Sequence, residues 1–296
     1  MKRRRFLTGI AGLGVGGVFL NERLAGVEAG GEWLELAVQQ YSFNRQLKDG
    51  SMTLLDFPET VVAGTGIKAL EYFNGHMMER AGDGKFFEEL KTRCEDVGAV
   101  NTLMLCKAAN ALDSPEASVR AKSVEEYKPW LEATKCLGGT AIRVDTRSAG
   151  DAVAQKGYAV EGLRALSDVA AAMEMDVVVE NHGGHSGNGA WVASVMEAVD
   201  RENVGTLPDF QNFKEYDPYL GVEEMMPWAK FVCAKAKGFG EDGSEVNVDF
   251  FRMLEIVKSA GFHGYCGIEF EGHEIDPVEG INLTKALIER VIAELG

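Results

Sequence analysis

From residue 34 onward, short apolar runs alternate with amphipathic stretches. The runs are 34–41 (LELAVQQY), 66–73 (GIKALEYF), 99–106 (AVNTLMLC), 139–145 (GTAIRVD), 175–181 (MDVVVEN), 204–210 (VGTLPDF), 231–237 (FVCAKAK) and 265–271 (YCGIEFE). Runs of this length and greasiness read as strands buried on both faces. The segments between them read as helices. In 249–261, Phe250, Leu254 and Val257 recur at helical spacing and Gly261 supplies a C-cap; 84–98 (GKFFEELKTRCEDVG) behaves likewise.

The runs close on Tyr41, Glu71, Cys106, Arg143, Glu180, Asp209, Lys235 and Glu269, at intervals of 30, 35, 37, 37, 29, 26 and 34 residues. Each interval is about one βα unit. Eight units after residue 30 match the usual ~250 residues of a (β/α)₈ barrel. An open doubly wound sheet would want a glycine-rich phosphate turn after its first strand. After Tyr41 the chain reads SFNRQLKDG instead. The fold class expected is therefore α/β, a single (β/α)₈ TIM barrel over residues 31–296.

The first thirty residues follow another pattern. A basic cluster, Lys2 to Arg5, precedes a weakly apolar, glycine-rich run from Phe6 to Leu20. That run is too short and too rich in glycine to span a membrane and has the shape of an export signal. Arg3-Arg4-Arg5-Phe6-Leu7 resembles the twin-arginine motif. Residues 1–30 are thus read as an export signal, and the protein as periplasmic.

Composition narrows the partners. The chain has 296 residues, with 46 acidic against 30 basic side chains and a formal net charge of −16. Nucleic acid is bound by neutralising phosphates with Lys and Arg, so this balance disfavours it. A small-molecule partner is expected, with homo-oligomerisation left open. The five cysteines make no C-x-x-C pair, so neither a zinc ribbon nor a disulfide scaffold is indicated.

In a barrel of this kind the chemistry sits where the strands end at the C-terminal face. That rim collects Glu71, Arg143, Glu180, His182, Asp209, Lys235 and Glu269. Glu180, Asp209 and Glu269 each close an apolar strand, and buried together without a cation they would repel. A divalent metal resolves the conflict, and an all-oxygen set suits Mn²⁺ or Mg²⁺. Period-two alternation puts Glu180 and His182 on one side of the fifth strand. Gly183 and Gly184 behind them leave room for a ligand or make a tight turn. Arg143 and Lys235 either balance charge or hold substrate oxygens. Glu71 accepts from a sugar hydroxyl or pairs with Arg143. Tyr41, Phe43, Tyr72, Phe73, Phe210, Phe213 and Phe239 lie near the rim and could meet the apolar face of a sugar.

Glu180 in VVVENHGG, Asp209 in GTLPDFQNF, Lys235 in FVCAKAKGF, Glu269 in GYCGIEFEG and the IRVD of the fourth strand together resemble the sugar phosphate isomerase/epimerase family of xylose-isomerase-like barrels. The resemblance implies a divalent metal, Mn²⁺ first, with Mg²⁺, Co²⁺ or Zn²⁺ as substitutes, held by Glu180, Asp209 and Glu269. The family's fourth ligand, a histidine two residues before the strand-seven lysine, falls here on Cys233. A second family histidine falls on Asn212. Cys233, His182 or a water would then complete the sphere.

The activity implied is an isomerase or epimerase acting on a ketose or keto-sugar by proton transfer next to a carbonyl. Glu180 and Glu269 would be the bases, Lys235 the enediolate stabiliser, and Glu71, Arg143 and His182 the substrate contacts. The same parts could serve a metal-dependent lyase that cleaves 3-keto-glycosides. Loss of the two histidines fits a third class, a non-catalytic sugar-binding barrel.

Overall fold

The computed structural model describes residues 33–296; the leader assignment lies outside the described residues. The chain opens with β1 (Leu34–Gln39), followed by α1 (Asn44–Asp49), α2 (Phe57–Thr65) and β2 (Ala69–Phe73). It continues through α3 (Gly84–Asp96), β3 (Val100–Leu105), α4 (Ala117–Cys136), β4 (Ala141–Val144), α5 (Ala152–Ala171) and β5 (Asp176–Glu180). The last third holds α6 (Gly189–Val199), β6 (Val204–Leu207), α7 (Pro218–Met225), β7 (Val232–Ala236), α8 (Phe250–Ser259), β8 (Gly264–Phe270) and α9 (Pro277–Leu295). All eight expected strands are present, and every pairing is parallel.

The strands lie in the order β6-β5-β4-β3-β2-β1-β8-β7. Parallel bridges Thr206↔Ala229 and Asp209↔Cys233 join the two ends, so the barrel is nearly closed. The second bridge sets two of the candidate residues side by side.

Alternation along each strand sorts the side chains into two cores. Inside the barrel, Leu103, Leu105, Ala141, Val178, Leu207, Phe231 and Cys233 pack together. Outside it, strand residues of the opposite parity, such as Leu70, Tyr72, Met104, Ile142, Val177 and Val179, pack against the helices. Asp83, Asp151, Asn188, Asp217, Asp249 and Asp276 cap α3, α5, α6, α7, α8 and α9 by accepting from backbone N–H groups of the first turn. The caps fix where each helix leaves the barrel and so where each strand end stands.

Inward parity carries upward. Val178 is followed two residues on by Glu180, Ala141 by Arg143, Cys233 by Lys235 and Gly267 by Glu269. The polar rim is therefore the top layer of the barrel interior.

Candidate active site

A cavity of about 270 Å³ opens at that top layer, lined by Tyr41, Phe73, Lys107, Arg143, Asp145, Arg147, Glu180, His182, Lys235, Glu269 and Glu271, with Leu105. It brings together five of the residues expected from sequence: Arg143, Glu180, His182, Lys235 and Glu269. Asp209 is wholly buried at the floor. Of the seven rim aromatics only Tyr41 and Phe73 reach the cavity, stacked edge-on with ring centroids 5.4 Å apart. Phe43, Tyr72 and Phe210 point into the outer core instead.

The charges pair in a definite way. Arg143 Nε stands 2.7 Å from Glu180 Oε2, and its Nη1 donates to Asp145 Oδ1 at 3.0 Å. Asn212 Nδ2 donates to the other Glu180 oxygen at 3.0 Å. The oxygen of the same amide accepts from Lys235 Nζ at 3.0 Å. That ammonium also lies 3.1 Å from Glu269 Oε2, 3.4 Å from Asp209 Oδ2 and 3.7 Å from Glu271 Oε1. A continuous polar chain thus runs Arg143–Glu180–Asn212–Lys235–Glu269.

Burial decides the protonation states. Desolvation pushes Glu180 up to about 7, against the opposing pull of Arg143 and of Lys235 farther off. Asp145 is held down at about 2: burial opposes its charge, but Arg143, His182 and Arg147 outweigh it. Burial likewise opposes the Lys235 ammonium, yet Asp209, Glu269, Glu180 and Glu271 together keep it charged. Glu71, wholly buried beneath the cavity, is pushed up to about 8 by desolvation, with the Glu269 and Glu180 carboxylates adding to the rise. At neutral pH it is a carboxylic acid and not the sugar-facing carboxylate expected at the rim; the Gln39 side chain beside it pulls the other way but makes no well-aligned hydrogen bond to either oxygen.

His182 lines the cavity and its Nδ1 sits 3.0 Å from Asp145 Oδ1. The glycine pair after it makes a tight turn. Gly183 and Gly184 have φ of 84° and 55°, and a Cβ on Gly184 would run into the carbonyl of Arg147. Ser186 Oγ accepts from the His182 N–H and donates to Gly183 O, closing the turn. Asn181 clamps the next strand end: its amide donates to Asp209 O and accepts from Asp209 N–H. Sequence reasoning passed over Asp145, Asn181 and Glu271. Asp145 was visible at the end of IRVD, two residues past Arg143.

One ligand atom each from Asp209, Cys233 and Glu269 falls within 4.8 Å of the others, a set that could hold a divalent ion. Asp209 Oδ2 is buried without a hydrogen-bond partner. Two of the three carboxylates expected from sequence, Asp209 and Glu269, belong to this set, with Cys233 at the position of the family's histidine, while Glu180 is engaged by Arg143 and Asn212. Burial, with Asp209 and Glu269 beside it, drives that thiol well above its ordinary range. A protonated thiol is a weak ligand, and a thiolate suits Zn²⁺ better than Mn²⁺. The Lys235 ammonium, moreover, already touches both carboxylates of the set. The set suits Zn²⁺ better than the Mn²⁺ expected, and an ion entering it would meet that lysine's ammonium.

Residues 60–291 match the family model described as xylose isomerase-like TIM barrel. A mouse protein named as a candidate hydroxypyruvate isomerase is 26% identical over 101 residues, which is 33% of this chain and 36% of that protein. The chain thus matches little more than a third of that relative's length. The zinc-bound structure of the IOLI protein superposes with a TM-score of 0.70 at 15% identity, covering 88% of this chain and 98% of that one. The 3-keto-D-glucoside 4-epimerase YcjR of E. coli gives 0.68 at 16% identity, covering 87% and 99%.

Proposed function

The chain belongs to the xylose isomerase-like TIM barrel family, and within it we propose an isomerase or epimerase that moves a proton at the carbon beside the carbonyl of a keto-sugar. One observation carries the reading: a buried carboxyl poised near 7, Glu180, shares a small cavity with two cations, Arg143 and Lys235. A general base works best when its pKa lies near the operating pH. Two fixed cations beside it suit the charge that develops on oxygen as the C–H bond breaks. Glu269, on the far side of Lys235, would return or remove the second proton. The cavity volume fits a monosaccharide or one ring of a glycoside, and Tyr41 and Phe73 offer it an apolar wall. Substrates of the neighbours, a 3-keto-glucoside among them, agree with this class. The basic, glycine-rich leader supports an exported, periplasmic enzyme, where unphosphorylated sugars and glycosides are met.

The orphaned oxygen of Asp209 and the zinc of the IOLI structure favour a second reading, in which Asp209, Cys233 and Glu269 hold a divalent ion. Such an ion would polarise the substrate carbonyl.

The test is turnover on a panel of ketoses and 3-keto-glycosides. Glu180→Gln, which keeps the side-chain shape, should bind the reactive sugar and lose about 10²–10⁴-fold in rate, the usual share of a general base. Full activity in that variant removes Glu180 from the chemistry. Release of an aglycone in place of an isomeric sugar would identify the lyase outcome of the same proton abstraction.

A further inference from the structure

We infer that the Lys235 ammonium is the resident cation of this site, standing where a divalent ion would otherwise sit and keeping it out. Lysine has three N–H donors and no acceptor. Its nitrogen donates to Asn212 Oδ1 at 3.0 Å and forms ion pairs with Glu269 Oε2 at 3.1 Å and Asp209 Oδ2 at 3.4 Å. The side chain is only 4% exposed, so water contributes little to this shell.

The neighbours are built for an ammonium. Asn212 donates its NH₂ to Glu180 and so must turn its oxygen toward Lys235. An obligate donor there would lose the contact with the Lys235 ammonium. Cys233 places its Sγ against Glu269 Oε2 at 3.6 Å, where the family carries a histidine. Glu180 takes its cation from Arg143 at 2.7 Å and is not free to ligate. Two of the three donors in the Asp209–Cys233–Glu269 set are the carboxylates that Lys235 already holds. A doubly charged ion among them would face an ammonium at contact range, with little water to screen the repulsion. In this arrangement the ammonium and a divalent ion compete for the same two carboxylates. A fixed ammonium can supply the electrophile for a developing enolate oxygen in place of the ion.

The inference can be tested without any substrate, so it stands or falls apart from the keto-sugar reading. The protein is equilibrated with Zn²⁺ and, separately, Mn²⁺, desalted, and analysed for metal, with affinities measured by titration calorimetry. Wild type should retain no stoichiometric metal. Lys235→Met, which keeps the apolar stem and removes the charge, should take up one ion at least tenfold more tightly. Adding Asp209→Asn to Lys235→Met should abolish that uptake. One ion per wild-type chain, lost in Asp209→Asn, would overturn the inference, as would a folded Lys235→Met that binds no better than wild type. If Lys235→Met does not fold, Lys235→Gln serves for the gain, and the metal content of wild type is decisive in either case.

Discussion

Glu71→Gln offers the sharpest test of the electrostatics beneath the cavity. Glu71 is wholly buried, flanked on β1 by Gln39 in register, and its pKa rises from 4.5 to about 8. The folded state therefore keeps its proton at pH values where the unfolded chain releases it. A raised folded pKa contributes stability that is complete below 4.5 and is lost as pH climbs through about 8. A rise from 4.5 to about 8 corresponds to roughly 5 kcal/mol, at about 1.4 kcal/mol for each tenfold change in proton affinity. Glutamine cannot titrate. The variant should match wild type within about 1 kcal/mol at pH 4.5 and be the more stable protein at pH 9, by as much as ~5 kcal/mol and by at least ~2 after relaxation of the site. Urea unfolding at both values measures it, and the difference between the two proteins cancels the titrating groups that do not interact with Glu71. A stability difference that does not change between pH 4.5 and 9 would show that Glu71 ionises as an ordinary carboxyl and would refute the reasoning.

Other expectations follow from the same map. Arg143→Ala leaves Glu180 and Asp145 buried without their shared cation and should cost about 3–5 kcal/mol in urea unfolding, the usual result of breaking a buried pair from one side; adding Glu180→Gln should recover part of it. A base must be unprotonated to act, so kcat/KM should rise with pH through about 7 as Glu180 loses its proton, and no step near 7 in the profile would exclude it as the base. Gly267→Ala would drive a methyl group into the Glu71 carboxyl and should destabilise by about 1–3 kcal/mol, the range for overpacking a dense core; a neutral result in thermal melts would mean the barrel interior gives way there.

The strands were legible because burial on both faces writes them as apolar runs, and the regular interval between those runs spelled out the barrel. Glu180 and Glu269 were legible for the same reason: each ends such a run on the inward parity. Glu71 was misplaced by two residues. β2 continues to Phe73 and shifts register between Leu70 and Glu71, so the carboxyl sits one inward position, about 6–7 Å, below the rim. Phe73 takes the cavity position above it. Partner choice was the part sequence could not give. That Arg143 reaches across to β5 and that Lys235 leans between β6 and β8 depends on how far each long side chain extends and on Asn212, whose amide joins the two pairs. The departures at Cys233 and Asn212 were visible in sequence as missing histidines. The geometry adds what each does here: Asn212 accepts from the Lys235 ammonium, and the Cys233 thiol lies against Glu269.

Proton transfer at a sugar carbon is the central claim, and exchange with solvent reads it most directly. With a reactive keto-sugar in D₂O, wild type should place deuterium on the carbon beside the carbonyl, detected by NMR in product and in recovered substrate, and Glu180→Gln should slow that incorporation by about 10²–10⁴-fold. Product formed at the full rate without deuterium at that carbon would mean the hydrogen never leaves as a proton to an exchangeable carboxyl, and would contradict the account.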